Sequence, residues 1–349
     1  MPPCALSGVR PDAMSSTNRP ISSPNADLNA ELAVASVETV GNGSIAPVTR
    51  WQLIVGFLVI YLVWGSTYLA IHWGVETIPP FGMGAARFLI AGSMLYVWCI
   101  FRGAKKPTQS QWKASAIIGA LLLFVGNGAV SWASQRVPSG LTSVIVATVP
   151  LWLVLCELWQ GKRPDLIKVI GVLIGLAGVA LLVMPTNAAT TTVDPAGAVV
   201  LALGSLSWTI GSLYSRTARQ AESPALAIAM QMLVGGSLLL LLSLAVGEWT
   251  PALHVSARSA ASLLYLIVFG SLIGFSTYMW LLKVASPMAV GTYAYVNPAV
   301  AVLLGVLLAG ERLPAQAVAA MTVILGGVAM VSIAGGRAKR MVTAVWRAR

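Results

Sequence analysis

The residues of this sequence with the most evident capacity for chemistry are ionisable groups inside or beside long apolar segments. Arg87 lies within such a segment, where its guanidinium can bind a substrate carboxylate, hold a gate closed through a partner such as Glu76, or extend to water at the segment's end. Glu157 can carry a coupling proton or pair with a neighbouring base such as Lys162. His72 suits either proton sensing or a solvated loop position. We take Arg87 as a candidate substrate-binding residue.

Aromatic and amide side chains form the second group of candidates, because they also occur inside the apolar segments rather than only at their ends. The group comprises Trp64, Tyr68, Asn127, Trp132, Trp208, Tyr214, Gln231, Tyr278, Trp280, Tyr293, Tyr295 and Asn297. Such side chains line cavities for amphipathic or aromatic molecules, with cation–π contacts to a cationic one. The alternative is ordinary helix packing, with some rings at the level of lipid headgroups. We predict that this group, together with Arg87, binds substrate.

Signatures of the common enzyme classes are absent from the sequence. It contains no GxxxxGK[ST] nucleotide-binding motif, no HExxH zinc motif and no GxSxG nucleophile motif. Its three cysteines form no CxxC pair and its two histidines are far apart, which indicates neither a disulfide framework nor a metal site. We therefore predict no catalytic residues, no metal and no cofactor. An enzyme embedded in a membrane is the weaker hypothesis.

The elements that must position these side chains are apolar helices. Of the 349 residues, 57% are hydrophobic and 9% are charged, whereas soluble chains have roughly 45–50% and 25%. Apolar runs of about 20 residues match the length with which a helix crosses a bilayer, and they lack the alternation of β-barrel strands. We predict an all-α integral membrane protein with about ten transmembrane helices, over residues 52–72, 82–101, 113–132, 140–159, 166–184, 197–216, 225–246, 259–282, 288–309 and 315–334.

The net charge of +11 is explained by membrane topology. With ten spans, 18 of the 22 Lys and Arg residues fall on one side, and such residues favour the cytoplasmic side. They form short clusters without a recognition motif, which argues against nucleic acid as a partner. We predict a multi-pass protein of the cytoplasmic (inner) membrane with both termini in the cytoplasm. Residues 1–50 are then a disordered tail and residues 336–349 a basic tail.

The two halves of the chain resemble each other. Trp132 and Trp280 are 148 residues apart, as are Pro150 and Pro298. Each half has five predicted helices, an odd number, so the second half enters the membrane from the opposite side. Inverted repeats of this kind are a recurring architecture of secondary transporters. We predict a first repeat from residue 51 to 184 and a second from residue 197 to 335.

The prolines and glycines of the apolar segments have predicted mechanical roles. A proline within a helix removes a backbone hydrogen bond and kinks the helix, so Pro150 and Pro298 are predicted helix-kink and gating residues that open carbonyls toward a cavity. The alternative is a harmless kink, which membrane helices tolerate. Glycines let helices approach closely, and this role suits Gly171, Gly175, Gly178, Gly326 and Gly327 in assembly of the bundle or of a homodimer.

Several short motifs resemble the EamA repeat of the drug/metabolite transporter superfamily. In the first half they are Trp64-Gly-Ser-Thr-Tyr68, Pro79-Pro80, Ala86-Arg87-Phe88, Gly126-Asn127-Gly128, Val137-Pro138-Ser139-Gly140 and Ala147-Thr148-Val149-Pro150; in the second they are Tyr293 through Gly305 and Gly310-Glu311. The combination is most similar to the YedA-like branch of inner-membrane exporters, over residues 51–335. One departure is Gly161-Lys162, where many members have Gly-Glu at the end of the first repeat.

The resemblance implies ten helices, cytoplasmic termini, and export of small metabolites, amino-acid-like compounds or drugs. Since inverted repeats provide two gates around one site, we hypothesise a secondary transporter that exports a small-molecule substrate by alternating access. A proton or another ion is the expected coupling partner, and the lipid bilayer is the other partner. The alternative is a passive facilitator or channel of the same fold without ion coupling, which the scarcity of buried carboxylates favours.

Overall fold

The computed structural model describes residues 48–161, 164–183, 194–249, 254–285, 287–311 and 315–347. The regular structure of these ranges is helical, as predicted. Three sets of predicted features lie outside the described residues: the tail up to residue 47, the break between the halves from 184 to 193, and the basic residues Lys162, Arg163 and Arg312.

The described helices follow the predicted apolar segments. In chain order they are α1 (Arg50–Gly74), α2 (Pro80–Phe101), α3 (Gln109–Ala133), α4 (Ser139–Trp159), α5 (Leu166–Val183), α6 (Pro195–Thr217), α7 (Pro224–Ala245), α8 (Ala257–Val284), α9 (Tyr293–Ala309, after a single turn at Pro287–Val290) and α10 (Ala315–Arg347). Seven of them, α1–α4 and α6–α8, are long and apolar enough to cross a membrane. The apolar stretches of α5, α9 and α10 are shorter. The backbone of the predicted basic tail continues α10 as far as Arg347.

The exterior of the helices is strongly apolar. Leu62, Met94, Leu203 and Leu307 are each exposed over more than half of their surface. Apolar surface of this extent is unfavourable in water and favourable against lipid tails. The outward faces of these helices therefore fit a bilayer.

Helix starts follow ordinary capping chemistry. Proline occupies the first turn of α2, α6 and α7, where its missing N–H costs nothing. The side chains of Asp194 and Ser223 accept hydrogen bonds from Ala196 and Leu226 at the starts of α6 and α7. The boundaries of these helices are therefore set by local sequence.

Two helices contain π-helical turns that the sequence analysis did not anticipate. In α3 the π segment is Ala120–Asn127, and in α8 it is Leu266–Phe275. A π turn adds a residue to the helical turn and rotates the side chains that follow, and such turns are frequent at functional sites. The two segments occupy corresponding positions in the two halves of the chain.

The two gating prolines differ from each other in the structure. Pro298 lies inside α9, as predicted. Pro150 lies near the middle of α4, where the helix is interrupted at Ala147–Thr148 and restarts as Val149–Trp159 with Pro150 in the first turn. A proline lacks the N–H that would bond the fourth residue before it, so a break just ahead of Pro150 is consistent with the kink predicted there.

Close glycine contacts hold α5 against α10. A Cβ at Gly171 would lie 2.8 Å from the Gly327 carbonyl oxygen, and a Cβ at Gly327 would lie 2.6 Å from the Gly171 carbonyl oxygen. Gly175 and Gly178 have similarly close neighbours, which confirms the packing role predicted for these four glycines. Gly326 is the exception, because no atom of the described residues beyond its own helix lies within 4 Å of a Cβ built there.

The connections between helices gather at two ends of the bundle. One end contains residues 75–79, 134–138, 246–249 and 310–311, and we call it the carboxylate end because Glu76, Glu248 and Glu311 lie there. The opposite end is held by the ion pair of Lys105 with Glu222 at 3.0 Å and by the pair of Lys168 with Glu157 at 2.8 Å. Glu157 therefore pairs with a lysine of α5.

Candidate functional site

A small cavity of about 70 Å³ lies between α1, α2, α3, α4, α6, α8 and α9. Its lining consists of Trp64, Thr67, Tyr68, Ile71, Arg87, Phe88, Leu123, Gly126, Asn127, Val130, Val146, Gly204, Ser205, Trp208, Gly270, Phe275 and Tyr293. Ligand sites commonly measure about 300–1,000 Å³, so this space has room for only a few waters. Both π segments contribute lining residues.

Two helices present regular faces to the cavity. The α1 residues are spaced at positions 64, 67, 68 and 71, and the α3 residues at positions 123, 126, 127 and 130. This spacing of i, i+3, i+4 and i+7 is one face of a helix. It combines aromatic, hydroxyl and amide groups within otherwise apolar helices.

An aromatic cluster forms one wall of the cavity. The ring of Trp64 is 5.5 Å from that of Trp208, 4.7 Å from that of Tyr278 and 5.5 Å from that of Tyr293, measured between centroids. The contacts with Trp208 and Tyr293 are edge-on. Each such contact contributes about 0.5–1.5 kcal/mol beyond area burial. Trp64 is thus the central ring of the cluster.

Hydrogen bonds fix the orientation of this wall. Trp208 Nε1 donates to the Tyr278 hydroxyl at 2.9 Å. The Ser212 hydroxyl donates to the Trp208 carbonyl at 2.7 Å, so its oxygen accepts the Tyr278 proton across a second contact of 2.7 Å. The polar atoms of both rings are therefore satisfied within the protein, and the Trp208 ring, which lines the cavity, presents apolar surface to a ligand.

Arg87 lies about 10 Å along α2 from its first residue, and its side chain is buried with 5% exposure. Its Nε donates to the Ser271 hydroxyl at 2.7 Å. Its guanidinium carbon is 4.8 Å from the centroid of the Phe88 ring. The predicted gate partner Glu76 binds Arg258 instead, because the first turn of α8, which carries Arg258, lies beside the connection that carries Glu76.

The remaining predicted residues lie apart from the cavity lining. Trp132 lies under the Arg136 guanidinium at the carboxylate end, 3.9 Å from ring centroid to guanidinium carbon. Gln231 is buried and donates to Gln220 at 2.9 Å. The Trp280 ring packs closely against Gly56 of α1.

Three further predicted residues have other surroundings. Tyr214 is half-buried in the hydrophobic core. Asn297 is buried, and within the described part of the chain its amide has no hydrogen-bond partner. The Tyr295 side chain lies outside the described residues.

Some residues at the cavity were not among those predicted from the sequence to bind substrate. They are Thr67, Phe88, Ser205, Phe275 and Ser271, the last of which is the partner of Arg87. The signal for Thr67 was present, because it lies on the same face of α1 as Trp64 and Tyr68. Ser271 had no comparable signal, since its role depends on a contact 184 residues away in sequence.

The carboxylate end carries a second, open cleft of about 510 Å³ between the connections 75–81, 132–135 and 246–248. Beside it, the Glu248 carboxylate accepts hydrogen bonds from the N–H groups of Phe81 at 3.2 Å and Gly82 at 2.8 Å, and from the Ser243 hydroxyl at 2.6 Å. A glutamate of the second half therefore caps the first turn of α2.

Glu311 makes the equivalent contact with α4. Its carboxylate accepts from the Ser139 N–H at 2.8 Å, the Ser139 hydroxyl at 2.6 Å and the Gly140 N–H at 3.2 Å. Gly310, at φ 65°, ends α9 and lets the chain turn back to this position. Two glutamates from the second half thus bind the N-termini of two helices from the first half.

Comparison with known proteins gives consistent results. The EamA-like transporter family matches residues 51–184 and 195–333. The uncharacterized inner membrane transporter YedA of Escherichia coli is 40% identical over 275 residues, 78% of this chain and 88% of that protein. The uncharacterized transporter YvbV of Bacillus subtilis is 28% identical over 82% of this chain and 92% of that protein. One crystal structure of a protein has a TM-score of 0.57 at 22% identity, covering 81% of this chain and 98% of that one, which shows a likeness of fold alone.

Proposed function

Because this chain belongs to the EamA-like transporter family, we propose that it is a secondary transporter that exports a small organic molecule across the cytoplasmic membrane by alternating access. The observation that carries the proposal is the cavity between the two halves, which has polar and aromatic walls and, at about 70 Å³, is too small to hold such a molecule without widening. A site of this kind must open to one side at a time for a substrate to enter and leave.

The proposed topology has ten spans in two inverted repeats, over residues 51–184 and 197–335. Support comes from the two matches to the family and from the pair of π segments at corresponding positions. Both termini are cytoplasmic in this proposal, because 18 of the 22 basic residues then lie on the inner side. The carboxylate end accordingly faces outward.

The two glutamate contacts act as the outer gate in this mechanism. Each joins a carboxylate of the second repeat to the start of a helix of the first, so outward opening must break both. Hydrogen bonds to charged groups contribute about 1.5–3 kcal/mol each. Their loss therefore favours the outward-open form.

We expect the paired substitution Glu248→Gln and Glu311→Gln to open the cavity to the outside. A cysteine replacing Val130 on the cavity wall, in an otherwise cysteine-free chain, is expected to react with an external impermeant maleimide about tenfold faster or more. The matched control is Glu222→Gln, which removes an exposed carboxylate at the opposite end. Equal labelling rates in the paired variant and the control would contradict the gate.

Ion coupling separates the transporter from a passive facilitator of the same fold. Inside-out vesicles containing the protein are given labelled aromatic acids, amino acids and cationic dyes, with and without an imposed proton gradient. We expect at least one class to accumulate above its external concentration with the gradient. Mere equilibration identifies a facilitator, and uptake no greater than that of vesicles without the protein refutes transport of all three classes.

A further inference from the structure

We infer that the central cavity selects an organic anion, with an aromatic or similarly flat apolar body and one acidic group. This inference rests on the proposed function and specifies its substrate class. The feature that carries it is the charge of Arg87, which lines the cavity, is 95% buried, and has no anionic partner among the described residues.

The acidic residues of the described chain are all engaged elsewhere. Glu76, Glu157, Asp194 and Glu222 form ion pairs with other bases. Glu248 and Glu311 bind helix N-termini, and Asp165 accepts a hydrogen bond at the start of α5. None of these carboxylates reaches Arg87, so the described part of the protein does not neutralise this cation.

The guanidinium retains donors for a ligand. Only its Nε donates to the protein within the described residues, to the neutral hydroxyl of Ser271. The two terminal nitrogens have no acceptor there, and Nη2 lies beside Gly270, another residue of the cavity wall. A guanidinium offers two parallel N–H groups that match a carboxylate or a sulfonate.

Burial of the Arg87 guanidinium without an anionic partner costs free energy. A cation inside the membrane region loses its hydration, and one hydroxyl and one aromatic face replace only part of it. An anionic ligand supplies both the missing charge and the missing acceptors. The charge of Arg87 in the cavity is therefore left without a counter-charge from the described residues until an anion enters.

The other walls specify the body of the ligand and disfavour cations. Trp64, Trp208, Phe275 and Tyr293 present aromatic surface, and Asn127 adds an uncharged amide. Among the described residues the lining includes no carboxylate to receive an ammonium group, and Arg87 repels such a group across a low-dielectric space. A cationic drug would therefore contact only the faces of the aromatic rings, and the positive charge of Arg87 would repel it.

Three probes of one shape and different charge test the inference: phenylacetate, phenylacetamide and phenethylamine. Binding to the purified protein is read by quenching of tryptophan fluorescence, and transport by counterflow in phosphatidylcholine liposomes. We expect phenylacetate to bind about tenfold tighter or more than the amide, a difference of about 1.4 kcal/mol. We also expect the amine to bind weakest. Benzenesulfonate is expected to follow phenylacetate.

Two variants test whether the preference for the acid over the amide depends on the charge of Arg87. Arg87→Gln is expected to abolish the preference of acid over amide, and Arg87→Lys to keep the preference with weaker binding. Thermal unfolding of each variant identifies any that fails to fold. If a variant does fail, the preference of the wild-type protein for phenylacetate over phenylacetamide still tests the inference. Adding phosphatidylglycerol to the liposomes distinguishes the sources of anion, because strong competition by this lipid would identify a headgroup as the occupant.

The outcomes separate this inference from the proposed function. Tighter binding and transport of the amine or the amide would overturn the anion site and leave the transporter intact. Binding of phenylacetate without counterflow would support the site and count against transport. Absence of binding by all four probes would overturn the inference, and the vesicle panel would still decide transport.

Discussion

A valine in place of Gly327 is expected to force α10 away from α5 and to lower the stability of the folded protein strongly. A Cβ at this position would lie 2.6 Å from the Gly175 backbone nitrogen and 2.9 Å from the Gly175 Cα. These neighbours are backbone atoms, which cannot turn aside as a side chain can. We expect a loss of at least about 3 kcal/mol, the upper range for overpacking, against a total stability of about 5–15 kcal/mol.

The matched control for this variant is the adjacent glycine. Gly326→Val adds the same side chain to the same helix, where no atom of the described residues beyond that helix lies within 4 Å of the new Cβ. Size-exclusion profiles and melting temperatures in mild detergent are the measurements. We expect Gly326→Val to resemble the wild type and Gly327→Val to aggregate or to melt far lower. Indistinguishable behaviour of the two variants would refute the close crossing of α5 and α10.

The second large effect is expected from Trp64→Ala, which removes the central ring of the cavity wall. Three aromatic contacts disappear with it, two of them with the cavity residues Trp208 and Tyr293. A loss of about 2 kcal/mol in substrate binding corresponds to about a 30-fold fall in transport at low substrate concentration. Trp64→Phe is expected to retain part of the activity, because one ring remains.

Trp98→Ala is the control for the loss of a tryptophan. Trp98 lies on α2 with 51% exposure, on the exterior of the bundle. Transport rates are measured at equal amounts of folded protein, judged by size-exclusion chromatography. If Trp64→Ala transports within twofold of the wild type, the aromatic wall has no part in substrate binding.

The membrane character of this protein could be predicted from sequence because the relevant quantities are local and additive. Length, hydropathy and capping residues act within one segment, so the long apolar helices appear close to their predicted positions. The same reasoning identified Trp64, Tyr68, Arg87, Asn127, Trp208 and Tyr293, which the structure gathers at one cavity. Each is a polar or aromatic group in an apolar run, where a functional reason is expected.

Residue type alone could not show which of the predicted substrate-binding residues lie outside the cavity lining. Tyr278 and Trp280 are two positions apart on α8, yet Tyr278 contacts the cavity wall and Trp280 packs against Gly56. Which face of a helix points inward depends on its rotation, and the π segment of α8 changes that rotation in the turns just before these residues. Pro150 illustrates the same limit, because only the structure reveals that the helix ends and restarts beside it.

Sequence by itself thus determined an apolar helical protein of two similar halves, because hydropathy and repeat spacing are properties of the chain read in order. The tertiary structure alone decided that Arg87 meets Ser271 and not Glu76. It also decided that two glutamates bind the helix starts of the other half. Contacts between residues more than 160 positions apart depend on how whole helices pack and rotate, and no local pattern records that geometry.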